Sequence, residues 1–242
     1  MVMSNLNIVF EDDYLLVIDK PAGLLMHPSW LDKREKDTLA SRVKTYLNGS
    51  KVHTVHRLDR PTSGLVVIAK TDACAKMLAE QFLSREVKKT YWAITRGFTS
   101  EAFTVDYELT EELDKIADKN ATKVREPQSA ITHFKRIGIS TLGIAVGRYP
   151  QARYSLLECT PVTGRKHQIR RHLKHERFPI IGDSRYGCRH NNQAAAEHFN
   201  INSLALRAVS IEFRHPMTDK YMVVSVDVNS SWATWFKALA WQ

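Results

Sequence analysis

Residues 8–19, IVFEDDYLLVID, place two short apolar runs around an acidic turn, the pattern of a strand pair, and Lys20-Pro21-Ala22-Gly23 then breaks it. A helix is expected near residues 37–48. LVVIAK, which follows Pro61 and Gly64, is a continuous β-branched run and reads as a buried strand. Beyond it, Ala75, Leu78, Ala79 and Phe82 recur at i, i+3, i+4 and i+7, which predicts a helix that Thr71 or Asp72 can cap. Residues 88–98, KKTYWAITRGF, alternate as a strand does, with Tyr91, Ala93 and Thr95 on one face and Trp92, Ile94 and Arg96 on the other. The strand YSLLECTPV runs into a second helix, for which Thr163 is the expected N-cap. Residues 204–213 and 221–228 pair across HPMTDK, and Trp232, Trp235, Phe236 and Leu239 mark a C-terminal helix that packs on the core. The strand count supports a large sheet without supplying its topology.

A chain of 242 residues suffices for one large domain or two small ones, and 43% hydrophobic with 25% charged residues is the balance of a soluble globular protein. There is no internal repeat, low-complexity tract or Gly/Ser/Pro linker. No apolar run reaches membrane-spanning length and MVMSNLNIVFEDD lacks the layout of a secretory leader, so a cytoplasmic protein is expected. Cys74, Cys159 and Cys188 are odd in number and far apart, which suggests neither a disulfide framework nor a CxxC metal site. Lys and Arg total 35 against 26 Asp and Glu, a net +9 that favours a polyanionic partner, nucleic acid before anionic membrane.

The charge is not spread evenly. In HRLDRPTSG (56–64) Asp59 stands between Arg57 and Arg60, and nearby cations should keep it ionised. Taken alone, Arg-x-Asp-Arg before a turn is as readily a surface ion pair. Between 165 and 177 there are six Lys or Arg and one Glu, and on a helix His167, Arg170, Arg171 and Lys174 form one polar stripe. Charge alone allows this to be only a solvated face. His167, His172 and His175 lack the HExxH spacing and a suitable carboxylate, so no metal site is expected. A tyrosine on a strand, such as Tyr91, is more commonly core than catalytic, and Trp30 beside a polar loop more commonly covers a core edge than stacks on a base. Residues 110–120, TEELDKIADKN, read as a charged, exposed helix or loop.

The whole string HRLDRPTSGLVVIAK closely resembles the signature of the RluA-type pseudouridine synthases. KPAG (20–23), Lys89-x-Tyr91-x-Ala93, TGRKHQIRRHL (163–173) and PIIGD (179–183) match further elements of that family, and the resemblance covers nearly the entire chain. It implies an α+β catalytic fold: a long, bent, mostly antiparallel mixed sheet flanked by helices, with a basic cleft across it. One catalytic domain over residues 1–242 is expected, with no small RNA-binding domain in front. The resemblance makes Asp59 the nucleophile and gives Tyr91 the task of stacking on the target base and aiding proton movement. It also pairs Arg170 with Asp59, so the two should meet in the cleft, and it puts Asp183 in a turn that shapes that cleft. Arg57 would fill the space in the stack vacated by an extruded uridine, while Lys20, Arg60, Arg165, Lys166, His167, Arg171 and Lys174 would contact RNA. Arg207 departs from the family, which usually has His there.

SWLD near the start, the 110–120 stretch, VGRYP and AEHF are similar to one branch of the family, which modifies uridine 65 in the T stem of tRNA. The expected partner is therefore tRNA, with no membrane and no protein partner; the protein is expected to be a monomer, and target choice would rest on tRNA shape and on loops 27–36 and 110–126. Converting uridine to pseudouridine breaks the C1'–N1 bond and rejoins uracil through C5. It is an isomerisation without redox change, so no cofactor is expected. Whether Asp59 attacks ribose C1', adds to uracil C6 or removes a sugar proton stays open at this level. Ribosomal RNA is the alternative substrate, and a non-catalytic RNA-binding module is a reading from another class. A glycosidase fits less well, because it generally needs two facing carboxylates and Asp183 is the only other motif-borne acid.

Overall fold

The computed structural model describes residues 6–28, 35–110 and 126–241. Trp30, the rest of SWLD and residues 111–120 lie outside the described residues. In chain order the elements of the first half are β1 (Ile8–Glu11), β2 (Leu15–Lys20), α1 (Leu39–Tyr46), β3 (His53–Thr54), β4 (Ser63–Ala69), α2 (Asp72–Leu83), β5 (Lys88–Arg96) and β6 (Ala102–Asp106). There follow β7 (Ile131–Leu142), β8 (Ala152–Pro161), α3 (Gln168–His175), α4 (Arg189–Phe199), β9 (Leu206–Arg214), β10 (Tyr221–Ser225) and α5 (Ser230–Ala238). Mixed strands and helices of this kind make an α+β fold, and no helix among the described residues is long and apolar enough to cross a membrane. The chain forms two compact units: Met1–Lys89 with Thr110–Glu126 and Ala208–Val226, and Thr90–Leu109 with Pro127–Arg207 and Asp227–Gln242.

In the first unit β2 pairs antiparallel with both β1 and β4, β3 adds to β4, and β9 lies beside β4 with β10 antiparallel to it. Every residue of β2 and β4 is buried, which is why their sequences are continuous apolar runs rather than alternating ones. The acidic turn between β1 and β2 has a defined chemistry: Asp12 Oδ1 accepts the Tyr14 and Leu15 amides, and its Oδ2 lies 2.7 Å from Nε2 of buried His215. Thr71 caps α2 by accepting the Cys74 amide. The helix buries Cys74 and Leu78, while Ala79, expected on that face, is exposed. The packed line is i, i+4 from Cys74, a residue type as apolar in practice as alanine. Gly64 has φ +111°, and a β-carbon there would lie 2.1 Å from the Ala208 carbonyl oxygen, so β9 approaches β4 to a distance only glycine permits.

In the second unit β5, β8, β7 and β6 form an antiparallel run, with Tyr91 opposite Cys159 and Arg96 opposite Tyr154. The expected alternation of β5 is visible at its start, but Ala93, Ile94 and Thr95 are all buried because both faces are covered there. Trp92 meets Trp232 and Phe236 of α5, whose first turn is capped by Asn229 accepting the Trp232 amide. Trp232, Trp235 and Leu239 are buried, so the C-terminal helix is core. Arg207, the departure from the family pattern, is itself buried and donates from Nη2 to the Asp227 carbonyl.

Candidate active site

The turn that carries Asp59 is held from below by a lysine. Lys20 is fully buried, and its ammonium donates to the carbonyls of Pro21 (2.9 Å), Leu24 (2.9 Å) and Arg60 (3.2 Å). Three protons meet three acceptors, so Lys20 staples the KPAG turn to the HRLD turn. The Gly23 amide donates to the Arg60 carbonyl and Arg60 Nε returns a bond to the Gly23 carbonyl at 3.0 Å. Thr62 N–H closes the turn on the Asp59 carbonyl, and buried Leu58 anchors it. Asp59 is thereby left half-buried, with Arg57 and Arg60 exposed on either side. Burial pushes the Lys20 ammonium down to about 8, while the charges of Asp59 and Asp19 hold it up. The expectation that Lys20 touches RNA is corrected: an ammonium with no surface exposure and all three protons donated to backbone has nothing to offer a phosphate. What it gives Asp59 is a rigid base and a buried positive charge.

His56, first residue of the motif, stacks on Phe82 at 4.6 Å, and its Nε2 accepts the Val67 amide at 2.9 Å. That bond requires a neutral ring, and burial with the nearby Lys89 charge lowers the imidazole to about 3.

In the other unit Tyr91 is half-buried beside the core, and Arg170 sits in the first turn of α3. Arg170 is 4% exposed, so at this position the stripe is not merely a solvated face. Its guanidinium makes a two-pronged ion pair with buried Asp183, Nε to Oδ2 at 2.8 Å and Nη2 to Oδ1 at 2.9 Å. Asp183 Oδ1 also accepts the Arg185 and Tyr186 amides. Burial works against the charged carboxylate, but Arg170 and those amides outweigh it and hold the Asp183 carboxyl below its ordinary range. Tyr186 completes the group, its ring 5.1 Å from the Arg170 guanidinium and its hydroxyl 2.9 Å from His167 Nδ1. An acid this committed is a poor second carboxylate for a glycosidase. The turn itself depends on Gly182, at φ +75°, whose missing side chain admits the Ser203 carbonyl.

Thr163 does not cap α3, contrary to expectation. The helix starts at Gln168 after His167 in a left-handed conformation, and Gln168 itself organises the approach. Its Oε1 accepts the Thr163 hydroxyl (2.7 Å) and the Arg165 amide (3.0 Å), and its Nε2 donates to the Ile131 carbonyl and the Thr132 hydroxyl (2.9 Å each). The Thr132 hydroxyl in turn lies 3.0 Å from Nδ1 of fully buried His172, whose Nε2 reaches the Tyr107 carbonyl at 3.3 Å. Burial lowers His172 to about 4, and the neutral ring with its hydrogen on Nε2 donates to the Tyr107 carbonyl and accepts the Thr132 hydroxyl on Nδ1. Of the remaining cations expected to meet RNA, Lys174 is exposed, Lys166, His167 and Arg171 are half-buried, and Arg165 is half-buried with Nε on the Ser129 carbonyl. Motif reading gave Gln168 no part in building the site and misassigned Lys20, whereas PIIGD flagged the turn of Asp183 without pairing it to Arg170.

Both histidines are held neutral in the fold while an unfolded chain protonates them near 6.5, so acid favours the unfolded state. Stability is therefore expected to fall as pH drops from about 6.5 towards 4, with His172 accounting for on the order of 3 kcal/mol. Urea denaturation at a series of pH values checks this, and His172→Asn, which keeps an acceptor for Thr132, should flatten the slope.

Comparison with known proteins agrees with this architecture. Residues 14–175 match the sequence model of the RNA pseudouridylate synthase family. The chain is 43% identical over 237 residues to tRNA pseudouridine synthase C of Vibrio cholerae, covering 98% of this chain and 97% of that protein. It is 42% identical to the Yersinia pestis enzyme of the same name, over 98% of this chain and 91% of the relative. With the Pectobacterium carotovorum protein of that name identity is 41%, and the match takes in 98% of this chain but only 63% of the relative's length. Among solved structures, the human RNA pseudouridylate synthase domain containing 4 superposes with a TM-score of 0.72 at 24% identity, over 97% of this chain and 93% of that one. The human domain containing 1 protein gives 0.71 at 21% identity, over 94% and 85%, so the fold is shared with both. From its two motif-bearing turns to its overall architecture, the chain belongs to the RNA pseudouridylate synthase family.

Proposed function

We propose that this protein isomerises uridine to pseudouridine in tRNA, at position 65 of the T stem, with Asp59 as nucleophile and Tyr91 and Arg170 acting on the same nucleotide. The observation that carries the reading is the HRLD turn itself. Its half-buried carboxylate stands on a backbone that buried Lys20 clamps at three carbonyls, a rigid mount for a group that must meet a reacting sugar or base. Near full-length likeness to proteins named tRNA pseudouridine synthase C supports tRNA over ribosomal RNA.

A uridine inside a stem is reached only by extrusion, which costs a few kcal/mol of stacking. Exposed Arg57, two residues before Asp59, has the planar cation suited to fill the vacated place. Arg170 is set in place by its two-pronged ion pair with Asp183, and we assign to it the role that the family resemblance gives it, orienting the nucleophile. Tyr91 offers a ring against which the freed uracil can turn while C1'–N1 breaks and C1'–C5 forms. The C5 proton is then lost and N1 gains one, so atoms and electrons balance.

The test is to incubate the purified protein with unmodified tRNA transcripts and map pseudouridine by carbodiimide adduct and primer extension. A single new adduct at position 65 is expected. Adducts elsewhere in tRNA, or only in ribosomal RNA of cells supplied with the gene, would overturn the target assignment.

A further inference from the structure

In the second unit a cavity of about 290 Å³ opens where the end of β5 meets the β7–β8 hairpin and the segment after α3. Its volume is close to the lower end of small-molecule pockets, about 300 Å³, and is ample for one planar base. Arg96, Arg153 and Arg177 line it together with Tyr149, Phe178 and Asn191, and among the described residues no acidic one does. Among the described residues none of these three arginines forms an ion pair with a carboxylate. The Cys188 thiol accepts Asn191 Nδ2 at 3.3 Å beside them, and Arg153 lies over the Phe98 ring at 5.5 Å.

The walls are well held. The Gly97 amide donates to the Arg153 carbonyl, Arg96 N–H donates to the Pro179 carbonyl, and Val146 and Tyr149 exchange both backbone bonds across a tight turn. Phe178 packs against Gly97, where an added β-carbon would meet its ring at 3.3 Å. Tyr149 is 58% exposed, with Arg148 over its ring at 5.2 Å. An aromatic ring stiffened by a cation, beside a ring of arginines without carboxylate partners, matches a nucleotide in both its parts: a flat base and an anionic phosphate.

We propose that this cavity is a second RNA site, taking a nucleotide of the substrate other than the one that reacts, with its base against Tyr149 and Phe178 and its phosphate on Arg153 and Arg177. Val146, Tyr149 and Pro150 of VGRYP line it but Asp59, Tyr91 and Arg170 do not, so it is separate from the proposed catalytic residues, and it rests on the reading that RNA is the substrate only for its choice of ligand.

Fluorescence anisotropy of labelled tRNA, read without turnover, tests it independently of catalysis. The double variant Arg153→Gln/Arg177→Gln is expected to bind at least about tenfold more weakly, and its slope of log affinity against log salt should fall by about one to two. Tyr149→Ala should weaken binding several-fold at unchanged slope, because stacking releases no counterions. A double variant that matches the wild type in both affinity and slope overturns the proposal. So does saturable uridine monophosphate binding, lost in the double variant while tRNA binding is unchanged, which would make the cavity a free-nucleotide site. If instead the binding changes appear as expected but no tRNA is modified, the cavity assignment stands and the catalytic reading falls.

Discussion

Asp59→Asn is expected to lower pseudouridine formation by at least about 10⁴-fold, the scale at which removal of a nucleophile usually acts. Asparagine keeps the shape of the side chain, and the contacts that build the turn are made by backbone and by Lys20, so the mount survives. Only the charge and nucleophilicity leave. One secondary effect follows from geometry: Lys20, buried beneath the turn, loses a compensating negative charge, so a stability loss of about 1 kcal/mol is expected as well. Affinity for tRNA should stay within about threefold, because phosphate contacts dominate it. Tritium release from tRNA labelled at uracil C5, measured beside anisotropy on the same preparation, separates the outcomes. Turnover near the wild-type rate rules out the nucleophile, and a parallel collapse of binding would mean that Asp59 holds structure instead.

Asp183→Asn is expected to be the most destabilising conservative change in the motifs, at about 3–5 kcal/mol, the range for breaking one side of a buried ion pair. Arg170 and Asp183 are 4% and 2% exposed, so the guanidinium that loses this carboxylate cannot turn to water instead. The two amides of Arg185 and Tyr186 would also face a weaker acceptor. Activity should fall with stability, since an Arg170 without its partner no longer presents a set edge. The double variant Arg170→Met/Asp183→Leu distinguishes the two roles: removing both charges should restore part of the lost stability, by up to a few kcal/mol, without restoring turnover. Guanidinium denaturation of the single and double variants, with turnover assayed well below the unfolding midpoint, reads both. Turnover recovered in the double variant would confine Arg170 to structure.

Burial was the quantity least legible along the chain. Lys20 and Arg170 look in sequence like the other cations around them, yet both lie in the interior. A cation is buried only where its donors are met, and the set is completed from further along the chain: by Arg60, forty residues on, for Lys20, whose other two acceptors are local, and by Asp183, thirteen on, for Arg170. Thr163 has the right type and place for an N-cap, but a glutamine five residues later competes for its hydroxyl and wins through a network that reaches Thr132 and His172. The element pattern, by contrast, was close. β1, β2, β4, α2, β5, β8, β9 and α5 fall where periodicity places them, because each buries a face whose apolar spacing is local.

The amino-acid sequence by itself determined most of the elements, though not β3, β6, β7 or α4, together with the positive balance and the motifs that mark the family, since these depend on side chains within a few residues of one another. Only the tertiary structure decided which charges serve as internal fasteners and which remain for a ligand. That choice is made by desolvation, and desolvation depends on what the fold brings alongside.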